Sequence, residues 1–372
     1  MGFSVIKFHF ISSSNTDSKK TLAIIEKISN EFATTVEVNE EFHPSSQKNV
    51  KCIDTYFKVK NSSNLEIFLY VICDHDRLLS MSQRGMDKML TEYNSWKQYA
   101  VERGVDILVL NESTKLIVDF LEKIIFGEPE VMKLLSPKNV FEEIMQNNTS
   151  LINKNVVILV DCDKTISMED TGKFFIELEN KDYSRIKKVF FGDFYTPYQF
   201  YRSSQIYSEL LDDVHISPGE ILQKVHLNEI LLKDLSDMKK YANIIWITSG
   251  LKEIWAEIAK ITNVPDILIS GSFRSPVDPI ITSDIKLHIV KFLRKLGYYV
   301  ISIGDSIADI WMLLESNLGY VVSNKNNKAL ASFFDTNETN VKQFGYNLCK
   351  YHNLEMSEGI LRDHIKKMKN EN

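Results

Sequence analysis

The chain has 372 residues and a formal net charge of −6, and no stretch approaches the ~20 uncharged apolar residues of a membrane span. This length predicts two or three domains, and 44% apolar with 25% charged residues is ordinary for a globular protein. The negative charge argues against nucleic acid or an anionic membrane as the main partner. The first twelve residues lack a cationic leader, and the four cysteines lack metal-binding spacing, so we expect a cytoplasmic protein.

Residues 1–150 predict a separate α+β domain. Apolar periodicity predicts strands and helices in this region, with Ser113 as the cap of the last helix. The predicted strands cover residues 3–11, 52–59, 65–73 and 105–110, and the predicted helices cover residues 16–32, 79–103 and 113–125. A polar cluster, Asp74-His75-Asp76-Arg77, favours a turn over a metal site because no partner motif accompanies it.

Two carboxylates follow a buried strand in the second half of the chain. Asp161 and Asp163 come directly after the apolar run 156–160. The carboxyl ends of parallel strands are where open α/β sheets bind ligands. Carboxylates two residues apart can share one site, with one as nucleophile or metal ligand and the other as acid or base.

Three further fragments downstream fit the same site. The strand 244–247 ends in Thr248, Ser249 and Gly250, which suit a phosphate oxygen at the start of the following helix. Lys286 lies early in an amphipathic helix predicted over 283–296. The last fragment is an apolar strand, 300–303, that runs into a turn at Gly304 and two carboxylates, Asp305 and Asp309.

Each fragment alone has an ordinary structural explanation. The first pair of carboxylates is typical of a solvated turn, Thr248-Ser249 of a helix cap, and Lys286 of a surface lysine. Asp309 is also the kind of acid that a helix favours in its first turn. All four explanations would have to hold at once and in order, so we favour a catalytic site.

These fragments resemble the four motifs of the haloacid dehalogenase-like (HAD) superfamily, over roughly residues 154–330. The resemblance implies a Rossmann-like parallel-sheet core with an inserted helical cap, in the phosphoserine-phosphatase-like branch. It implies Asp161 as nucleophile, Asp163 as general acid and base, and Thr248, Ser249, Gly250 and Lys286 as phosphate-binding residues. It also implies a Mg²⁺ site formed by Asp161, the main-chain carbonyl of Asp163, Asp305 and Asp309.

Residues 166–243 separate the first two motifs and predict the helical cap, at about 168–243 within a second domain of residues 151–372. Five segments there have helical patterns: 169–181, 183–191, 197–211, 218–226 and 228–241. Asp170 and Arg202 are the candidate specificity residues. After the second motif we predict strands over 266–270, 280–282 and 318–324, and a polar, partly helical, solvated tail over 336–372.

The resulting hypothesis is a Mg²⁺-dependent phosphatase that hydrolyses a small phosphorylated metabolite through an aspartyl-phosphate. One alternative is a phosphotransferase, or a bifunctional enzyme whose N-terminal domain performs a second step. A third hypothesis is a non-catalytic binding protein on a HAD scaffold, which would be indicated by a missing core carboxylate. The sequence predicts neither the substrate nor the oligomeric state.

Overall fold

A computed structural model describes most of the chain. The described residues are 3–12, 15–32, 35–39, 52–60, 65–72, 80–102, 107–135, 137–190, 195–211, 224–271, 278–322 and 348–351. Within these ranges, no helix combines the length and the apolar character needed to cross a membrane.

The described residues form both strands and helices. The strands are β1 (Phe3–Ser12), β2 (Thr35–Asn39), β3 (Cys52–Lys60), β4 (Leu65–Val71), β5 (Ile107–Leu110), β6 (Val156–Val160), β7 (Ala242–Leu251), β8 (Ile267–Gly271), β9 (Tyr299–Gly304), β10 (Leu318–Val322) and β11 (Leu348–Tyr351). The α-helices are α1 (Asn15–Phe32), α2 (Gln83–Glu102), α3 (Thr114–Phe126), α4 (Pro129–Leu134), α5 (Pro137–Asn148), α6 (Thr171–Leu178), α7 (Ser184–Val189), α8 (Pro197–Leu211), α9 (Glu229–Met238), α10 (Lys252–Thr262), α11 (Ser283–Lys295) and α12 (Ile310–Glu315). Two 3₁₀ turns cover Thr149–Leu151 and Ile307–Asp309.

The chain divides into two compact units. One comprises Met1–Leu135 with Ser184–Ser203, and the other comprises Ser136–Tyr183 with Ser204–Asn372. This division differs from the predicted boundary at 150, because α5 buries Val140 and Ile144 in the same core as residues of α11. It also assigns residues 184–203 of the predicted cap to the first unit. The domain limits drawn from the sequence stay a prediction.

The first unit contains a five-stranded sheet in the order β2-β3-β1-β4-β5. The β1–β3 and β2–β3 pairs are antiparallel, whereas β1–β4 and β4–β5 are parallel. The sheet is therefore mixed, and the predicted strands and helices of this unit are confirmed. Ser113 occupies the N-cap position of α3, but its side chain makes no capping hydrogen bond. The elements β2 and α4 of this unit were missed, and so was α5 of the second unit.

The second unit contains a six-stranded, fully parallel sheet in the order β11-β10-β9-β6-β7-β8. Every residue of β6 is buried, as expected for an apolar strand in the middle of a covered sheet. Its neighbours are β7 on one side and β9 on the other, so the order of the strands reverses at β6. Such a switch point opens a crevice beyond the carboxyl ends of the strands. The predicted site residues Asp161 and Asp305 come directly after β6 and β9 and therefore lie at this crevice.

Four of the five helices predicted between β6 and β7 correspond to α6, α7, α8 and α9. The fifth was predicted over 218–226, and its residues before 224 lie outside the described residues. Asp74–Arg77 also lies outside them, as does most of the tail. Two predictions were wrong. Residues 280–282 form no strand, because Thr282 instead caps α11 by accepting a hydrogen bond from the Ile285 amide. Residues 348–351 of the predicted solvated tail form the edge strand β11, paired in parallel with β10.

Candidate active site

Three buried carboxylates meet at the carboxyl edge of the parallel sheet. Asp161 follows β6 and Asp305 follows β9, and these strands are paired so that Val160 lies opposite Ile303. The Asp161 amide continues that pairing by donating to the Ile303 carbonyl oxygen at 2.9 Å. Asp309 comes from the turn after β9, and one carboxylate oxygen from each of the three aspartates lies within 4.8 Å of the others. Their exposed fractions are 6%, 2% and 0%.

Lys286 places a buried ammonium among these carboxylates. It belongs to the first turn of α11, and only 1% of it is exposed. Its Nζ donates to Asp161 Oδ1 and to Asp309 Oδ1, both at 2.7 Å. The residue predicted to bind phosphate therefore lies against the predicted nucleophile, and its ammonium orients that carboxylate.

The cluster has an excess of negative charge that a divalent cation would compensate. Asp161, Asp305 and Asp309 carry three negative charges when ionised and Lys286 carries one positive charge, so two negative charges remain (−3 + 1 = −2). Burial and the neighbouring Asp309 raise the pKa of Asp161 well above its ordinary value, against the opposing effect of Lys286. Three converging carboxylates with an excess of two negative charges fit Mg²⁺, which carries two positive charges and prefers hard oxygen ligands.

Asp163 lies beside this cluster and has separate partners for its two oxygens. Its Oδ1 accepts hydrogen bonds from the Thr171 amide at 2.7 Å and the Thr171 hydroxyl at 2.6 Å. Its Oδ2 accepts one from the Trp255 indole Nε1 at 3.3 Å. Burial, followed by the charge of Asp170, raises the pKa of Asp163 to about 6. A carboxyl with this pKa can both give and take a proton near neutral pH, as a general acid and base must.

A tight turn after β6 sets the direction of the Asp163 side chain. Lys164 has a positive φ of 58°, which is uncommon for a residue with a side chain. The carbonyl of Cys162 then accepts from the amides of Thr165, Ile166 and Ser167. The same turn directs the Thr165 hydroxyl to Asp305 Oδ1 at 3.3 Å, so one short loop contacts both sides of the site.

The end of β7 contributes Thr248, Ser249 and Gly250. Thr248 is buried, and its Oγ1 accepts a hydrogen bond from the Gly250 amide at 2.8 Å, whereas Ser249 is exposed. A Cβ atom at Gly250 would lie 2.1 Å from Asp163 Oδ2, so a side chain at this position would collide with the carboxylate. Gly250 therefore allows the end of β7 to approach the proposed acid.

Asp309 has both a capping and a cluster role. Its Oδ2 accepts from the Ser306 amide at 3.2 Å and the Ser306 hydroxyl at 2.7 Å, while its Oδ1 accepts from Lys286. The sequence left a helix-terminus acid and a metal ligand open as explanations for Asp309. In the structure its two oxygens face different partners, Ser306 and Lys286, so the capping role leaves Asp309 within the carboxylate cluster.

Asp170 and Arg202 differ in their surroundings. Asp170 is the N-cap of α6 and accepts from the Lys173 amide at 3.0 Å. The other oxygen of Asp170 lies 3.4 Å from the Tyr183 hydroxyl and 3.5 Å from the Lys164 ammonium. It thus belongs to the Asp163 side of the site. Arg202 instead pairs with Glu112 in the first unit, with its Nε at 3.0 and 3.1 Å from the two carboxylate oxygens.

Among the residues that the structure describes, some contact the site although the sequence did not predict them, namely Thr165, Thr171, Trp255 and Ser306. Thr171 had a usable signal, since it opens a helix directly after a capping aspartate. Trp255 had none, because a buried tryptophan on an amphipathic helix is typical of a hydrophobic core.

The sequence and the structure were compared with those of known proteins. No protein-family model matches the sequence, and no curated protein matches it. A HAD family hydrolase from Salmonella enterica subsp. enterica serovar Typhi is similar at 12% identity and a TM-score of 0.39, covering 95% of this chain and 96% of that chain. A phospho-aspartyl intermediate analogue of phosphoserine phosphatase is similar at 15% identity and a TM-score of 0.38, covering 54% and 95%. A substrate-bound phosphoserine phosphatase complex is similar at 16% identity and a TM-score of 0.38, covering 47% of this chain and 90% of that chain. What the site can do chemically follows from its own residues.

Proposed function

We propose that this protein is a HAD-type phosphatase that hydrolyses a small phosphomonoester, with Mg²⁺ as cofactor. The observation that carries the proposal is the buried cluster of Asp161, Asp305, Asp309 and Lys286 at the switch point of the parallel sheet. A site that concentrates carboxylates around one ammonium is suited to a cation and an anion together, as a metal-assisted phosphoryl transfer requires.

Asp161 is the nucleophile in this proposal. Its carboxylate oxygen forms a bond to phosphorus while the bond from phosphorus to the ester oxygen breaks, which leaves an aspartyl-phosphate. Mg²⁺, held by Asp161, Asp305, Asp309 and the main-chain carbonyl of Asp163, would offset the repulsion between the attacking carboxylate and the phosphate. The hydrogen bond from Lys286 to Asp161 keeps the side chain in one orientation for the attack.

Asp163 handles the protons of both half-reactions. As a carboxylic acid it gives its proton to the departing ester oxygen, which leaves as an alcohol. As a carboxylate it then takes a proton from the water that attacks the aspartyl-phosphate, so that inorganic phosphate is released and both aspartates return to their starting states. A pKa of about 6 serves both directions.

Lys286 and Thr248 are the proposed contacts to the phosphate oxygens. Lys286 would share its ammonium hydrogens between Asp161 and an oxygen of the phosphoryl group as negative charge spreads over that group. Thr248 lies near the end of β7, and its buried hydroxyl oxygen accepts a hydrogen bond from the Gly250 amide. Its hydroxyl proton can therefore be donated, and Ser249 and Gly250 complete the proposed phosphate-binding segment.

The experiment that tests the proposal is a release assay for inorganic phosphate. Purified protein is incubated with a panel of phosphorylated metabolites, in Mg²⁺ and in EDTA. We expect one class of small monoester to be hydrolysed in Mg²⁺ and none in EDTA. Absence of phosphate release across the panel, or equal release in EDTA, would overturn the proposal.

If Mg²⁺ binds the cluster, it should raise the free energy of unfolding, and this change can be measured without knowing the substrate. A ligand that binds only the folded state at 100 times its dissociation constant stabilises it by about 2.7 kcal/mol. We expect Mg²⁺ to raise the free energy of unfolding by an amount of this order, and Asp305→Asn to remove most of the increase because it deletes one of three converging carboxylates. Chemical denaturation with and without Mg²⁺ measures both values.

The control for this measurement is Asp237→Asn, at an exposed position of α9. It makes the same chemical change away from the cluster and should keep the full response to Mg²⁺. A wild-type protein whose unfolding is insensitive to Mg²⁺ would contradict the assignment of the metal site.

A further inference from the structure

The contact between Trp255 and Asp163 joins a buried indole to the proposed acid. Trp255 is fully buried near the start of α10, and its Nε1 donates to Asp163 Oδ2 at 3.3 Å. A buried indole N–H usually has a hydrogen-bond acceptor, and here the acceptor is the carboxylate of the proposed acid. The inference below rests on the proposed function, since it concerns how Asp163 is held for proton transfer.

The two oxygens of Asp163 are held differently. Oδ1 accepts two short hydrogen bonds from Thr171, at 2.6 and 2.7 Å, so its lone pairs are directed at donors. Oδ2 accepts the longer bond from Trp255, and on another side it faces Gly250, which has no side chain. The proton of the carboxylic acid therefore belongs on Oδ2, which still has one acceptor direction for the indole.

We propose that Trp255 is a positioning residue that presents Oδ2 of Asp163 to the leaving group of the substrate. The indole hydrogen bond fixes the rotation of the carboxyl group about its last side-chain bond, while Thr171 holds the other oxygen. In the step that it assists, the Oδ2–H bond breaks as the proton passes to the ester oxygen, and the bond from that oxygen to phosphorus breaks as Asp161 bonds to phosphorus. A small misorientation of the acid slows such a transfer.

Packing holds the indole in place for this role. Trp255 meets Trp246 of β7 edge to face, with ring centroids 5.9 Å apart and an interplanar angle of 90°. Trp246 is equally buried, but its Nε1 has no hydrogen-bond partner among the residues that the structure describes. The pair therefore supplies a matched comparison, because Trp→Phe at either site removes an indole from the same core, and only one of these indoles bonds Asp163.

The test compares Trp255→Phe with Trp246→Phe on two substrates, in Mg²⁺. p-Nitrophenyl phosphate releases a weakly basic phenolate that leaves without a proton, whereas β-glycerophosphate releases a strongly basic alkoxide that needs one. The quantity measured is kcat/KM, which covers the steps up to formation of the aspartyl-phosphate. We expect Trp255→Phe to lower it about tenfold for β-glycerophosphate, a part of the ~10²–10⁴ that a general acid contributes, and less than about twofold for p-nitrophenyl phosphate.

Trp246→Phe should lower kcat/KM for both substrates by the same small factor. Equal losses for both substrates in Trp255→Phe would overturn the positioning role and leave Trp255 as a core residue. No phosphate release by the wild-type protein from either ester or from any member of the metabolite panel would instead overturn the proposed function, so the two failures are distinguishable.

A second measurement keeps the inference testable where Trp255→Phe fails to fold. Spectra of the indole ¹⁵N–¹H groups are compared between the wild type and Asp163→Ala. We expect the Trp255 signal to move upfield in the proton dimension and its exchange with solvent to speed up, while the Trp246 signal changes little. An unchanged Trp255 signal would overturn the hydrogen bond and the role assigned to it.

Discussion

Asp161→Asn should reduce phosphatase turnover by about 10⁴-fold or more, the scale on which removal of a catalytic nucleophile acts. The asparagine amide keeps the size of the side chain, but it is a poor nucleophile toward phosphorus. It also replaces a carboxylate that accepts from Lys286 and contributes to the proposed cation site. Steady-state phosphate release by wild type and variant, at saturating Mg²⁺, measures the effect.

The matched control for Asp161→Asn is Asp237→Asn, which makes the same change at an exposed position and should keep full turnover. Circular dichroism of both variants checks that the fold is retained. Turnover of Asp161→Asn within a few-fold of the wild type would remove Asp161 as nucleophile and would favour a different reacting group.

Lys286→Met should lower the free energy of unfolding by about 3–5 kcal/mol in the absence of Mg²⁺, the cost of removing one partner of a buried ion pair. The Lys286 ammonium lies 2.7 Å from oxygens of Asp161 and Asp309, and all three side chains are almost fully buried. Methionine has a similar shape and leaves the carboxylates without that compensating charge. Urea denaturation at neutral pH measures the loss.

Mg²⁺ should restore part of the stability of Lys286→Met, since a cation in the cluster offsets the same carboxylates. Lys291→Met, at an exposed position of α11, is the control and should change the free energy of unfolding by about 0.5 kcal/mol or less. Equal losses in the two variants would show that the Lys286 pairs contribute nothing specific.

The convergence of Asp161, Thr248 and Asp305 could be predicted because each follows an apolar strand. Parallel strands end at the same edge of a sheet, so short-range patterns already place these residues together. Lys286 was predictable as a helix residue, but its two hydrogen bonds to carboxylates were not. These hydrogen bonds depend on how α11 packs over the sheet, and a local sequence pattern does not predict that packing.

The partners of Asp163 illustrate what local patterns cannot predict. The contact with Trp255 joins residues 92 positions apart and depends on the close approach of Gly250 and on the turn at Lys164. The edge strand β11 was missed for a related reason. Its four residues, Leu-Cys-Lys-Tyr, are too few to show an apolar alternation of their own, and they become a strand through pairing with β10.

The central claim, that Asp161 bonds covalently to phosphorus, can be tested by trapping. Protein turning over a hydrolysed monoester in Mg²⁺ is quenched in acid and treated with borohydride, which reduces an aspartyl-phosphate to homoserine. We expect peptide mass spectrometry to locate homoserine at position 161 in the wild type and in no peptide of Asp161→Asn. Active protein that never shows homoserine at position 161, or shows it at another aspartate, would contradict the account.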